Sequence, residues 1–259
     1  MATLKVALDA GHCLHTAGKR CMKSLDPNET REWVLNSTIA EKAQKTLKDY
    51  QCQVLRVDDV TGKKDTTLNE RIKKANEWGA DVYVSIHHNA GVNGGSGGGT
   101  VVFRSVKSSK KSAELQAAIY RNAIKQTGLV GNRADPTPER DYKVLRETNA
   151  PAVLIEGGFM DSQTDVPVIL TDDFSDGIAT AIVTSLIEVF GLERRRGTVT
   201  QMEFDALMEN WLARQAEKPE SPWAKMAEAV KLGISDGTRP QSFATREEVA
   251  TMILNARKK

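Results

Sequence analysis

Asp81-Val82-Tyr83-Val84-Ser85-Ile86-His87-His88 and Leu4-Lys5-Val6-Ala7-Leu8-Asp9-Ala10-Gly11-His12 share one design, an apolar run that stops at an imidazole. Short, nearly continuous runs of Val, Ile, Leu and Ala read as strands buried on both faces, as in a parallel sheet. In open α/β sheets, ligands collect beyond the carboxyl ends of the strands. All four histidines (His12, His15, His87 and His88) lie in the first 88 residues, as two pairs. Two strand ends that carry imidazoles predict one polar site at one sheet edge. Neutral imidazole is the commonest metal-ligating side chain, so a metal is the first hypothesis.

Working outward, the chain alternates strand and helix signals. Asn28 reads as an N-cap, and Val34, Leu35, Ile39, Ala43 and Leu47 follow at helical spacing to Tyr50. Residues 52–57 alternate like a strand, and 68–78 are helical. The glycine-rich stretch 91–99 follows the second histidine pair, and its glycines 94–99 are expected either to permit motion beside a cleft or to serve as a plain connection. Residues 100–103 form a further strand candidate, 112–127 a helix, 152–155 a short buried strand and 172–190 a closing helix. This order predicts a three-layer α/β fold, a mostly parallel twisted sheet with helices on both faces. The pattern changes at Leu192, giving a first domain of 1–192. Glu193-Arg194-Arg195-Arg196-Gly197 opens a linker over 193–200, and 201–259 reads as a small helical module.

Composition narrows the function. With 259 residues, 40% apolar and 27% charged, the chain is long enough for a sizeable core and too apolar to be disordered. A net charge of +2 gives no mandate for nucleic acid. No run is long and apolar enough to predict a membrane span, and the opening residues are too short an apolar run for a signal peptide. Synthesis in the cytoplasm is the expectation. Three cysteines, Cys13, Cys21 and Cys52, are an odd number and argue against a disulfide framework.

A catalytic zinc site needs three protein ligands and one open position. His12 and His87 are the histidines best placed to converge. Glu32, early in the helix after the first loop, is the best-placed third ligand. Asp9, Asp26 and Glu29 compete with it, and Cys13 or Cys21 would be softer donors. Glu156 ends the apolar run at 152–155 and can reach the same edge, where partial desolvation would raise its pKa toward that of a general base.

Together, Asp9-Ala10-Gly11-His12, Glu32-Trp33-Val34-Leu35-Asn36, Ser85-Ile86-His87-His88-Asn89 and Pro151-Ala152-Val153-Leu154-Ile155-Glu156-Gly157-Gly158-Phe159 resemble the zinc-dependent N-acetylmuramoyl-L-alanine amidases. Leu68-Asn69-Glu70-Arg71 with Ala75-Asn76 fits the same pattern. The resemblance implies His12, Glu32 and His87 as ligands of one Zn2+ and Glu156 as the catalytic carboxylate. It implies hydrolysis of the amide between N-acetylmuramic acid and L-alanine in bacterial peptidoglycan. His88, Asn89 and Gly157 are candidates for contact with substrate or support of the ligands. His88 departs from the family, which commonly has a small residue there. His15 is expected at the surface, and Asn89 is expected to hold the ligand segment.

Residues 201–259 resemble, partially, a single surface-layer-homology-like repeat, which implies wall attachment or self-association. With the missing leader, this implies a phage or prophage endolysin. The alternatives are a host autolysin, a zinc carboxypeptidase and a non-catalytic wall-binding protein.

Overall fold

The computed structural model describes residues 3–195; the linker beyond Arg195 and the helical module expected at 201–259 lie outside the described residues. Five strands, β1 (Leu4–Ala10), β2 (Cys52–Arg56), β3 (Val82–Asn89), β4 (Val101–Phe103) and β5 (Ala152–Phe159), form one sheet in the order β2-β1-β3-β5-β4. All neighbours are parallel except β4, which runs antiparallel to β5 at the edge. The helices are α1 (Glu32–Leu47), α2 (Leu68–Trp78), α3 (Lys110–Thr127), α4 (Lys143–Glu147), α5 (Val166–Ile169) and α6 (Asp172–Phe190). The predicted mostly parallel α/β sheet is thus present.

Period-two alternation sorts the strand residues into two cores. Val82, Val84 and Ile86 of β3 join Val153 and Ile155 of β5 against α1, α3 and α6. Tyr83 and Leu154 face the opposite way, toward Ile72 and Ala75 of α2 and Val144 and Leu145 of α4. Helices therefore cover both faces. Ile178, Ile182 and Leu186 of α6 are fully buried, and each such side chain contributes about 2 kcal/mol.

The chain leaves β1 for β2 on one side, then returns across β1 to β3 on the other. The reversal opens a crevice beyond the carboxyl ends of β1 and β3, where α/β folds place ligands. Both histidine pairs arrive there. β3 and β5 run further than expected, so His87, His88 and Glu156 lie within strands rather than after them.

Helix ends follow local chemistry. α2 starts with a capping box: the Thr67 hydroxyl accepts from Glu70 N, and the Glu70 carboxylate accepts from Thr67 N. Thr67→Ala is expected to lower stability by about 1 kcal/mol, read as a lower thermal midpoint. α1 differs from expectation, because Arg31 rather than Asn28 occupies its N-cap position. Asn28 instead donates its N–H to Asp26 Oδ1, and Thr30 N donates to Asp26 Oδ2. That Asp26-centred turn delays the helix until Glu32. α4 and α5 escaped the sequence reading because five and four residues are too few to show a helical period.

Candidate functional site

His12, Glu32 and His87 meet at the crevice, with one donor atom from each lying within 4.8 Å of the others. Among the described residues this is the one such group of histidine, cysteine and carboxylate side chains. His12 lies two residues beyond β1 in a left-handed conformation (φ 67°), which costs a non-glycine residue about 1–2 kcal/mol. His87 comes from β3, and the two rings stand edge to face with centroids 4.9 Å apart. Glu32 enters from the first turn of α1, where the helix dipole favours an anion.

The Glu32 side chain is fully buried. Its Oε1 lies 3.1 Å from His87 Nδ1 and accepts from His88 N at 3.1 Å. Its Oε2 lies 3.3 Å from His12 Nε2 and 3.7 Å from Lys19 Nζ. Those contacts lack hydrogen-bond geometry, so Oε2 is a buried oxygen without a hydrogen-bond partner. Burial raises the Glu32 pKa, but the His12 and His87 contacts outweigh it and hold the carboxyl ionised, well below its ordinary range. Two imidazoles, one carboxylate and an orphaned buried oxygen form a donor set that can hold a divalent cation, and zinc is one that takes it.

Close approach imposes a glycine at position 11. A Cβ there would lie 2.0 Å from His87 Cε1. Gly11→Ala is therefore expected to displace His87 and abolish tight metal binding while the chain stays folded. Metal retention after desalting is the readout.

Glu156 sits opposite His87 in register on the neighbouring strand, about 4.8 Å away across the sheet. Its Oε2 is inaccessible and has no hydrogen-bond partner. Burial lifts its pKa to about 7, opposed by His87 and reinforced by Glu32. A cleft of about 650 Å³ joins Glu156 to His12 and His87, with Lys19, Arg71 and Tyr142 also on its walls. Burial and the Glu156 carboxylate together push the Tyr142 phenol up.

The competing ligands are engaged elsewhere. Glu29 pairs with Arg20 at 3.1 Å, and Asp26 holds its turn. Asp9 is buried beneath the site, accepting from Tyr83 Oη at 2.8 Å, from Ser85 Oγ at 2.9 Å and from Arg71. Cys13 Sγ accepts from His15 N and Thr16 Oγ1. Burial, with Asp26 and Glu32 nearby, pushes the Cys21 thiol up to about 12, so it stays protonated. All three cysteines are free and buried.

Arg71 links this buried layer to the cleft. It donates to Asp9, to Ala10 O at 2.7 Å, to His12 O at 2.9 Å and to Thr66 O at 2.7 Å. The carbonyl of His12 is thus clamped from below. The sequence marked Arg71 only as part of a motif.

His88 faces the other side of the sheet, buried near Phe174. Burial lowers its pKa to about 4. Asn89 Oδ1 accepts from Ala90 N, and its carbonyl accepts from Met160 N. His15 is exposed. The glycine-rich loop is tied to side chains of other segments. Asp161 Oδ2 accepts from Gly91, Val92 and Asn93, Asp165 Oδ2 from Gly99, and Asn132 Oδ1 from Gly98. None of the loop's glycines lines the cleft.

Comparison with known proteins points the same way. The model of the N-acetylmuramoyl-L-alanine amidase family matches residues 6–188. The N-acetylmuramoyl-L-alanine amidase CwlM of Bacillus licheniformis is 28% identical over 220 residues, spanning 83% of this chain and 81% of that protein. An endolysin of Bacillus phage SPP1 is 29% identical over 130 residues, 50% of this chain and 48% of the relative. A solved N-acetylmuramoyl-L-alanine amidase from Clostridium difficile 630 superposes with a TM-score of 0.65 at 28% identity, covering 74% of this chain and 98% of that one. Because the family match runs through every segment that carries His12, Glu32, His87 and Glu156, this chain belongs to the N-acetylmuramoyl-L-alanine amidase family.

Proposed function

We propose that the chain hydrolyses the amide between the lactyl group of N-acetylmuramic acid and the L-alanine of the stem peptide in peptidoglycan. The observation that carries this reading is the His12–Glu32–His87 group beside a buried Glu156 with an unpartnered oxygen. His12, Glu32 and His87 would hold one zinc ion. Bound there, zinc supplies a Lewis acid and lowers the pKa of a water to about 7. Glu156 accepts the proton of the attacking water at its carboxylate, for which a pKa of about 7 suits it. It then returns that proton to the alanine nitrogen. The water oxygen ends in the lactyl carboxylate, and the stem peptide leaves with a free amino terminus.

The test uses purified walls and the full chain. New N-terminal alanine without new reducing ends is expected, together with one zinc per chain by elemental analysis. Release of D-alanine instead would assign a carboxypeptidase. Wall binding with no new termini would reduce the chain to a binding protein.

The role proposed for this activity is cell lysis of the endolysin kind, supported by the likeness to the phage SPP1 endolysin. Co-expression with a membrane-permeabilising holin should lyse the producing bacterium, whereas expression alone should not. Lysis without the holin would favour the autolysin reading. Residues 201–259 are proposed as the wall-binding or self-associating module that their sequence resembles.

A further inference from the structure

His88 is the one histidine beside the candidate ligands that points away from them, and its surroundings are unusual. Its Nδ1 lies 2.8 Å from Asn36 Oδ1, while its Nε2 is buried with no hydrogen-bond partner. The side chain is packed near the Phe174 ring, with centroids 6.1 Å apart. Gly157 leaves room for it, because a Cβ there would lie 2.9 Å from Nε2.

The surrounding acceptors set which way the Asn36 amide points. Asn36 Nδ2 lies 3.1 Å from Gly11 O and 3.5 Å from Glu32 Oε1, two oxygens that only accept. The amide must therefore turn its NH2 toward them and its Oδ1 toward His88. An oxygen facing the imidazole requires the Nδ1–H tautomer, which leaves Nε2 bare. The backbone N–H of His88 also donates to Glu32 Oε1. One residue thus reaches Glu32 twice, directly through its main chain and indirectly through Asn36.

We propose that His88 is a positioning residue for Glu32, acting through the Asn36 amide to set the affinity of the His12–Glu32–His87 group for a divalent cation. The imidazole lies on the other face of the sheet from the cleft and touches neither cation nor substrate. Its work is to hold Asn36 in the orientation that donates to Glu32 and to Gly11 O, the carbonyl just before His12. Without the Nδ1–H donor, Asn36 Oδ1 loses its partner, and the amide is held only by its contacts with Gly11 O and, at 3.5 Å, Glu32 Oε1, so the Glu32 carboxylate is less firmly placed. Partners of this kind typically change metal affinity by roughly 10- to 100-fold. An orphaned buried Nε2 costs stability, so the residue is poorly explained as a filler of space.

The inference rests on the metal reading above, and the two fail differently. A wild-type chain that takes up no zinc would sink that reading. A wild-type chain that binds zinc, with variants of unchanged affinity, would sink this proposal alone. The measurement is zinc affinity of the full chain by competition with a chromophoric chelator, beside the thermal midpoint of the metal-free chain. His88→Asn keeps an amide N–H near the Nδ1 position and is expected to hold affinity within about threefold. His88→Leu matches the bulk without the donor, and His88→Gln moves the donor away from Asn36. Each is expected to weaken zinc binding by roughly 10- to 100-fold, with the metal-free midpoint of His88→Leu unchanged or raised. If one of these two fails to fold, the other carries the comparison. Equal affinity in all variants would overturn the proposal. So would equal loss in all, His88→Asn included, accompanied by lower metal-free midpoints, since His88 would then only fill space.

Discussion

Glu156→Gln is expected to lower amide turnover by roughly a hundred- to ten-thousand-fold, the usual contribution of a positioned general base, while zinc content and wall binding stay at wild-type levels. The amide keeps the shape of the carboxyl but cannot take a proton from water. Stability gives a second readout. The folded-state pKa of Glu156 is raised to about 7 by burial, above the unfolded carboxyl value near 4.3. A raised pKa gives stability that is fully present below the unfolded value and is lost as pH rises through the folded one. The carboxyl therefore disfavours folding at pH 8 relative to pH 4. The metal-free Gln variant should match or exceed the wild-type midpoint at pH 8, with less gain at pH 4. A variant that still releases N-terminal alanine at the wild-type rate would remove Glu156 from the mechanism.

The second large effect is expected at Arg71. Arg71→Ala should lose about 3–5 kcal/mol, the cost of stranding one partner of a buried ion pair, read by denaturant unfolding. Its guanidinium holds Asp9, Ala10 O, His12 O and Thr66 O together. Arg71→Lys should recover little, because an ammonium cannot span those four acceptors with a fixed fork. Burial raises the Asp9 pKa, but Arg71, with His87 and the Tyr83 hydroxyl, outweighs it and leaves it lowered. In the wild type, this stability is present above the unfolded pKa, near 3.9, and is lost as pH falls through the folded pKa. Without Arg71, the largest influence that lowers the Asp9 pKa is gone while burial still raises it, so the variant keeps less of this pH-dependent stability. The gap between the two proteins should accordingly be wider at pH 7 than at pH 4. A gap that does not change with pH would mean that Arg71 acts by packing alone.

Both effects concern the same design. Glu156 has an unsatisfied oxygen beside the group that could hold a metal, and Arg71 holds from beneath the strained segment that presents His12. The first costs stability, as the proposed chemistry would require, and the second restores it.

The strands were legible because burial on both faces demands continuous apolar residues. Leu4–Leu8, Val82–Ile86 and Ala152–Ile155 carry that demand in their composition. The long helices were legible because each must turn one stripe to the sheet, and the same runs ended at residues able to bind a metal. His12, His87 and Glu156 stood out in that way, Glu32 by its place early in the first helix, and the fold brings all four to one crevice. What the sequence left undetermined depends on groups far apart in the chain. Asp26 ties up the turn that Asn28 was expected to cap, and Asp161 and Asp165 fasten a glycine-rich loop that read either as mobile or as a plain connection. Asp9 was open as a ligand until Arg71, 62 residues away, took its carboxylate. His88 and His87 are chemically identical neighbours in the sequence. The pleat alone sends one into the cleft and the other toward Asn36, and no local pattern states which partners wait on each face. The sequence by itself determined the mostly parallel sheet and the residue types at its edge, since hydrophobic periodicity and residue type are local properties. Only the tertiary structure decided which polar group answers which, because hydrogen bonds and charge pairs are settled by distances that chain order does not encode.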